Sequence, residues 1–287
     1  MTESRRADIG VPSFCRRAIP KGFALWFFLE EVDEKKMDKR VTVVILAAGL
    51  GKRMRSGKAK VLHEVLGKPM VVYVVETARS VAGDAVVVVV GNQAEEVRRV
   101  VALAAPVAFA HQEQQLGTGH AVMCALPRVP VECEQVVVLC GDVPLVAGAT
   151  LRAMIDDHVR AGRDATLLAV DLDRPFGYGR ILLDERQQVC GIVEEADATD
   201  AQRAITTINS GIYCINRRFL ADVLPRLTRS NAQGEFYFTD IVRIGYEMGR
   251  TIGICRGDDP QEILGINTPE DLARVEAVLD ARRAATA

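Results

Sequence analysis

The chain has 287 residues, enough for one large α/β domain or two small ones with an ample core. Hydrophobic residues make up 49% and charged residues 26%, the balance of an ordinary soluble enzyme. A formal net charge of −2, from 36 Lys and Arg against 38 Asp and Glu, argues against a nucleic-acid binder, so any cluster of cations is a local device.

The first 36 residues differ in texture from the rest. Phe23 to Leu29 (FALWFFL) is apolar but far too short to span a bilayer. Glu30, Glu31, Asp33 and Glu34 follow it, where a signal peptide would show small residues and a cleavage site. Two readings fit: a natural start at Met37, or a short docking helix carrying Trp26.

Val41, Val43, Val44, Ile45 and Leu46 read as a fully buried parallel strand. Ala47, Ala48, Gly49, Leu50 and Gly51 follow, with side chains small enough for backbone N–H groups to close around a phosphate. Lys52, Arg53, Lys58 and Lys60 come next, with no acid before Glu64. Gly49 to Met54 lacks the third glycine of a dinucleotide fingerprint, and Gly51-Lys52-Arg53 is not the Gly-Lys-Ser/Thr of a Walker loop. A buried strand feeding a tight, cation-rich loop is a place to hold a polyphosphate; the plainer alternative is a strand-to-helix turn with solvated cations.

Pro69 to Val81 then reads as a helix with proline at its start, Ala85 to Val90 as a second buried strand, and Ala94 to Leu103 as a helix. Val107 to Ala110 is a short third strand, His120 to Leu126 a helix, and Val136 to Leu139 a fourth strand. This alternation implies a doubly wound, mostly parallel sheet whose ligands sit beyond the carboxyl ends of its strands. Further strands are expected over Ala165 to Leu172, Arg180 to Leu183, Val189 to Val193 and Ile208 to Ile215. Helices are expected over Ala147 to Arg160, Arg217 to Leu227, Thr239 to Gly249 and Pro269 to Arg283. The second half therefore reads as a mixed-sheet lobe covering the first. With no Pro/Ser-rich linker between the halves, residues 37–287 are expected to form one domain.

Seven cysteines without a C-x-x-C pair read mostly as buried thiols in a reducing cytosol, and the four histidines have no zinc spacing. Asp142 follows the buried run Val136 to Leu139 and stands beside Gly141, a residue small enough for a phosphate to approach, so it is well placed for Mg²⁺. The alternative is a carboxylate that merely caps the next helix. Gln112 to His120 is polar and glycine-bearing. A glutamine amide offers a donor and an acceptor, matching the imide edge of uracil, although a solvated loop with a helix start at Thr118 fits as well.

Taken in order, these segments resemble the bacterial N-acetylglucosamine-1-phosphate uridylyltransferases, within the sugar nucleotidyltransferases. The likeness runs through LAAG-x-G-x-RM and K-V-L-H (Leu46 to His63), Q-L-G-T-G-H-A (Gln115 to Ala121) and G-D-V-P-L (Gly141 to Leu145). It continues through G-Y-G-R-I (Gly177 to Ile181), I-V-E-E-x-D-A-T (Ile192 to Thr199), I-N-S-G-I (Ile208 to Ile212), N-A-Q-G-E-F-Y-F-T-D-I (Asn231 to Ile241) and G-I-N-T (Gly265 to Thr268). The resemblance implies a Rossmann-like nucleotidyltransferase fold with a sugar-binding lobe, and transfer of UMP from UTP to a sugar 1-phosphate. It implies that Leu46, Ala47, Ala48 and Gly49 hold the nucleotide, together with the Gly51 and Gly141 backbones, and that Gln112, Gly117 and Thr118 read uracil. By the same likeness Asp142 and Asn267 hold magnesium, and Arg53 and Lys60 grip the phosphates. Gly179, Glu194, Asn209, Tyr237 and Thr239 surround the amino sugar.

Three positions depart from the family pattern. Lys52 stands where threonine is common, Cys140 replaces a frequent tyrosine, and Ala59 replaces a proline, which is expected to loosen the backbone ahead of Lys60. Many members continue into a β-helical acetyltransferase domain. This chain stops at Ala287, so acetyltransferase activity is not expected, and the oligomeric state is left open because that domain usually builds the trimer. A nucleotidyltransferase for another sugar or NTP, and a non-catalytic sugar-nucleotide sensor, are the competing readings.

Overall fold

The computed structural model describes residues 40–286. The expectations for residues 1–36 and for a start at Met37 lie outside the described residues.

Strand β1 (Val41–Ala47) sits inside a nine-stranded sheet. A two-residue hairpin, β2 (Glu64–Val65) and β3 (Lys68–Pro69), lies apart from it. β4 (Val86–Val90) and β5 (Ala108–His111) extend the sheet on one side of β1, all parallel. β6 (Gln135–Cys140) is the parallel neighbour on the other side. β7 (Ala165–Asp171), β8 (Gly179–Leu183), β9 (Val189–Val193), β10 (Thr207–Asn216) and β11 (Ile252–Arg256) complete the mixed part. There β10 runs antiparallel between β6 and β7, while β8 and β9 branch from its first residues.

The valine runs become central strands because both faces are covered, leaving no polar face to alternate. Every residue of β4 is 2% exposed or less. Val43, Ile45 and Ala47 point into one core, with α1 (Met70–Ala82), α2 (Ala94–Ala104), α4 (Gly148–Ala161) and the C-terminal α8 (Pro269–Thr286). Val44, Val87 and Val89 point into the other, with α3 (Thr118–Ala125), α6 (Arg217–Val223) and α7 (Asp240–Glu247). A four-residue helix, α5 (Asp200–Arg203), is held by a capping box between Thr199 and Gln202. α1 buries Val71, Val74, Val75 and Ala78 on one stripe and stops at Gly83, whose φ of 58° closes the helix end.

The α/β, mostly parallel architecture expected from the sequence is the one observed. Pro69 does not open α1 as its first residue. It is the N-cap and pairs with Glu64 across the small hairpin. β11 was not expected: Gly253 interrupts its apolar run and the strand sits half-buried at the sheet edge beside β7. Of the six described cysteines only Cys133 and Cys214 are buried, so the expectation of mostly buried thiols is corrected for Cys124, Cys140, Cys190 and Cys255. Among the described residues no helix is long and apolar enough to cross a membrane.

The carboxyl ends of β1, β4, β5 and β6 open on one edge. After β1 the chain builds β4 and β5 on one side, then crosses to β6 on the other, which leaves a crevice at that edge.

Candidate active site

A cleft of about 620 Å³ lies over this edge, with Leu46, Ala48, Gly49, Gly51, Arg53, Lys60, Gln112, Gly117, Thr118, Asp142 and Asn267 in its walls. Ala47 is the exception among the β1 loop residues. Strand alternation turns its side chain into the core on the far face. Gly141 lies behind the wall, where its N–H donates to Leu46 O at 2.9 Å and a side chain would press on that carbonyl.

The cations and the candidate metal donors meet at one point. Lys60 begins a short 3₁₀ turn anchored by buried Val61 and Leu62. Its ammonium pairs with the Asp142 carboxylate and donates to Asn267 Oδ1 at 2.5 Å. Arg53 Nη2 donates to the same oxygen at 2.8 Å. Asp142 and Asn267, far apart in sequence, are brought together by backbone: Ile266 N donates to Asp142 O at 2.9 Å, while the Asp271 carboxylate accepts from Asn267 N and Thr268 N, each at 3.0 Å. Two hard oxygens already converge on one positive centre. That donor set suits a divalent ion that keeps most of its shell for water or phosphate.

Opposite this point, Gln112 is 3% exposed and its amide nitrogen is turned inward, 3.0 Å from Gly117 O and 3.1 Å from His120 Nδ1. The amide nitrogen therefore spends one N–H on Gly117 O, and the amide oxygen is left for a ligand. Gly117 has φ +107°, and a Cβ there would lie 2.6 Å from Phe236 O. This close approach stitches the segment Glu235 to Phe238 onto the first turn of α3, with Thr118 Oγ1 accepting from Phe238 N at 3.1 Å. Gly91, Gln115, Gln233 and Glu235 also shape the cleft and were not anticipated. A Cβ on Gly91 would meet Gln115 Nε2 at 2.7 Å and Ala48 at 2.9 Å. A glycine directly after a valine strand was the available signal for Gly91.

The residues expected around the sugar do not line this cleft but cluster beside it. Gly179 pairs with Asn209 between β8 and β10, and a Cβ on Gly179 would lie 3.4 Å from Glu194 Oε2. Thr239 Oγ1 donates to Glu194 Oε1 at 2.9 Å, and Asn209 Nδ2 donates to the buried Tyr213 hydroxyl at 2.7 Å. Tyr237 is buried nearby; burial and the adjacent Asp197 push its phenol above the ordinary range. Between the two regions stands Cys140, partly exposed as a residue but with its thiol turned onto Gly211 O; desolvation of that thiol, with Asp142 adding to the shift, pushes it up to about 12 and keeps it neutral.

Burial raises the Glu194 carboxyl above its ordinary value, against the Thr239 hydrogen bond. A raised folded-state pKa favours the protonated form, so this group's stabilisation is complete below the unfolded pKa and is lost as pH rises through the folded one. Glu194→Gln, which keeps the acceptor and removes the charge, is therefore expected to raise the melting temperature at neutral pH and leave it unchanged in acid. Thermal unfolding at both ends of that range checks the sign.

The family model of the MobA-like NTP transferase domain matches residues 43–230, spanning the phosphate loop, Gln112 and Asp142. The chain belongs to this NTP transferase family. This NTP transferase is 47% identical over 246 residues to the bifunctional protein GlmU of Heliobacterium modesticaldum, covering 86% of the chain and 53% of that protein. It is 46% identical over 242 residues to GlmU of Geotalea uraniireducens, again covering 53% of the relative. With GlmU of Desulfotalea psychrophila it shares 39% identity over 248 residues, covering 73% of that protein, which sets the NTP transferase among the GlmU-type sugar nucleotidyltransferases. The chain spans about half the length of the first two relatives. A solved structure from Bacillus anthracis, described as a glucose-1-phosphate thymidylyltransferase in complex with sucrose, superposes with a TM-score of 0.67. That match covers 83% of this NTP transferase and 94% of the other chain at 19% identity, and shows the shared fold.

Proposed function

We propose that the chain transfers UMP from UTP to N-acetylglucosamine 1-phosphate, giving UDP-N-acetylglucosamine and pyrophosphate with Mg²⁺ bound, and that residues 37–287 act as one nucleotidyltransferase domain in the cytoplasm. The observation that carries the reading is the convergence of Lys60, Arg53, Asp142 and Asn267 beside the phosphate loop. A sugar-phosphate oxygen attacks the α-phosphorus of UTP, and the bond to the bridging oxygen of pyrophosphate breaks. The substrate supplies the nucleophile, so no serine, cysteine or histidine needs activation, and catalysis rests on alignment and charge neutralisation. Lys60 and Arg53 oppose the charge that shifts onto the phosphate oxygens, Arg53 with a fork suited to two of them. The Gln112 oxygen accepts from the uracil N3–H. Asp142 and Asn267 would hold the divalent ion, which when bound draws charge from the phosphates. Gly179, Glu194, Asn209, Tyr237 and Thr239 form the proposed sugar pocket.

Pyrophosphate release from UTP and Mg²⁺, with N-acetylglucosamine 1-phosphate, glucosamine 1-phosphate and glucose 1-phosphate in parallel, tests the reading. Preference for the acetylated sugar supports it, preference for another sugar moves the specificity, and silence in every reaction overturns it. Gly51→Ala provides a sharper test of Lys60. Gly51 has φ +61°, and a Cβ would lie 2.4 Å from Lys60 Cβ, so the loop and the lysine stem cannot both keep their places. The variant is expected to lose about 100-fold in kcat, the scale of removing one preorganised transition-state donor. Unchanged kcat would separate Lys60 from the chemistry.

A further inference from the structure

We propose that Gln93 is a positioning residue for Lys60, an inference that rests on the transfer reading above. Gln93 is a surface residue and contributes nothing to the wall of the cleft. Its side chain nevertheless reaches back to the segment entering the Lys60 turn. The amide oxygen accepts from Ala59 N at 3.0 Å and the amide nitrogen donates to Gly57 O. One planar group thus ties both ends of Gly57 to Ala59, immediately ahead of the residue that meets Asp142 and Asn267.

Three observations give this tie a task. The Lys60 turn has no side-chain cap, because its N-cap is Ala59. Ala59 is 1% exposed, so in the folded chain its N–H has the Gln93 amide oxygen rather than bulk water as its partner. Gln93 itself holds φ 50° and ψ 44°, a left-handed conformation unfavourable for a side chain other than glycine's. The strained backbone aims the amide at Gly57 and Ala59, and the two hydrogen bonds offset the strain.

The tie also revises the expectation that Ala59 loosens this backbone. Ala59 sits at φ −54° and ψ 136°, within the range proline adopts, so a proline would hold the same conformation through its ring. Alanine keeps the N–H, and Gln93 uses it. Covalent stiffness and a side-chain clamp are alternative ways of delivering Lys60 to one place. Because the reacting groups depend on that place to within a fraction of an ångström, loss of both should show in turnover rather than in nucleotide affinity.

The experiment is a cycle of Gln93→Gly, Ala59→Pro and the double variant, measured as pyrophosphate release in the full chain. Glycine suits φ 50°, so Gln93→Gly removes the clamp while relieving backbone strain, and a merely structural glutamine would give an equally or more stable, fully active enzyme. The expected result is a loss of about tenfold in kcat with the KM for UTP changed less than about twofold. Ala59→Pro alone should stay near wild type, and Gln93→Gly placed on it should cost less than about twofold. Unchanged kcat in Gln93→Gly, or the same tenfold loss on the proline background, would overturn the proposal. If the wild type releases no pyrophosphate with any sugar phosphate, the transfer reading falls by itself. The clamp is then read from the Ala59 amide: faster hydrogen exchange in Gln93→Gly supports it and unchanged exchange overturns it.

Discussion

Asp142→Ala is expected to reduce kcat about 1,000-fold, equivalent to about 4 kcal/mol of transition-state stabilisation, with little change in melting temperature. The carboxylate is the one formal negative charge among the groups that meet Lys60 and Arg53 at the convergence point, and the proposed divalent ion has only Asn267 as its other protein donor. Removing it leaves the Lys60 ammonium on Asn267 Oδ1 at the side of an open cleft, where solvent can reach it, so the fold loses little. Asp142→Asn should sit between the two, since it keeps an oxygen and drops the charge. Turnover measured across a divalent-ion titration, beside thermal unfolding, checks both halves. Full activity of Asp142→Ala at the wild-type ion concentration would remove Asp142 from the ligand set, and a collapsed melting temperature would mean its role is structural.

Glu195→Ala should act the other way, on stability first. Arg180 is 2% exposed and its Nη1 reaches Glu195 Oε2 at 2.7 Å and Tyr178 O, while Nη2 donates to Arg203 O at 3.3 Å. The same carboxylate oxygen accepts from Gly177 N at 3.2 Å, which fixes the turn leading to Gly179. Truncating Glu195 leaves a buried guanidinium with carbonyl acceptors but without this counter-charge, a change expected to cost about 3 kcal/mol. It also frees the backbone beside the proposed sugar pocket, so the KM for the sugar phosphate should rise more than that for UTP. The hydrogen bond from Arg180 holds the Glu195 carboxyl below the usual range. With the folded pKa depressed, the contribution is present above the unfolded carboxylate value and is lost as pH falls through the folded one. Wild type should therefore lose stability in that acid interval more steeply than Glu195→Ala. Parallel slopes would show that the pair does not bear on folding.

The framework was legible because its signals are local. Val41 to Leu46, Ala85 to Val90 and Val136 to Leu139 could only be strands covered on both faces, and their ends located the cleft. Asp142 stood out as a carboxylate at such an end. What stayed hidden depended on pairing across the sheet or on where one side chain reaches. That Gly179 would face Asn209 follows from the register of β8 on β10, which no spacing in the chain encodes. The inward turn of the Gln112 amide follows from Gly117 O closing on it. Nothing in the sequence marks Gln93, because its two partners belong to a loop more than thirty residues earlier. Ala59 looks like a loss of stiffness from its own backbone alone; the hydrogen bond its N–H donates to Gln93 Oε1 depends on a side chain that the local sequence does not show.

β10 has a consequence for how two substrates are brought to one reaction. Asn209, near its start, pairs with Gly179 in the proposed sugar pocket, and Tyr213 to Asn216 pair with β6, whose far end leads into Asp142. The strand breaks register between Asn209 and Tyr213, where Gly211 adopts φ +80°. It therefore acts as a cranked beam: one end is bolted to the platform of the proposed nucleotide site, and the other carries the proposed acceptor pocket. The distance and angle between the two reactants are set when the chain folds rather than renegotiated at each encounter, so much of the orientational freedom that two molecules in solution would have to surrender is already absent before either one arrives.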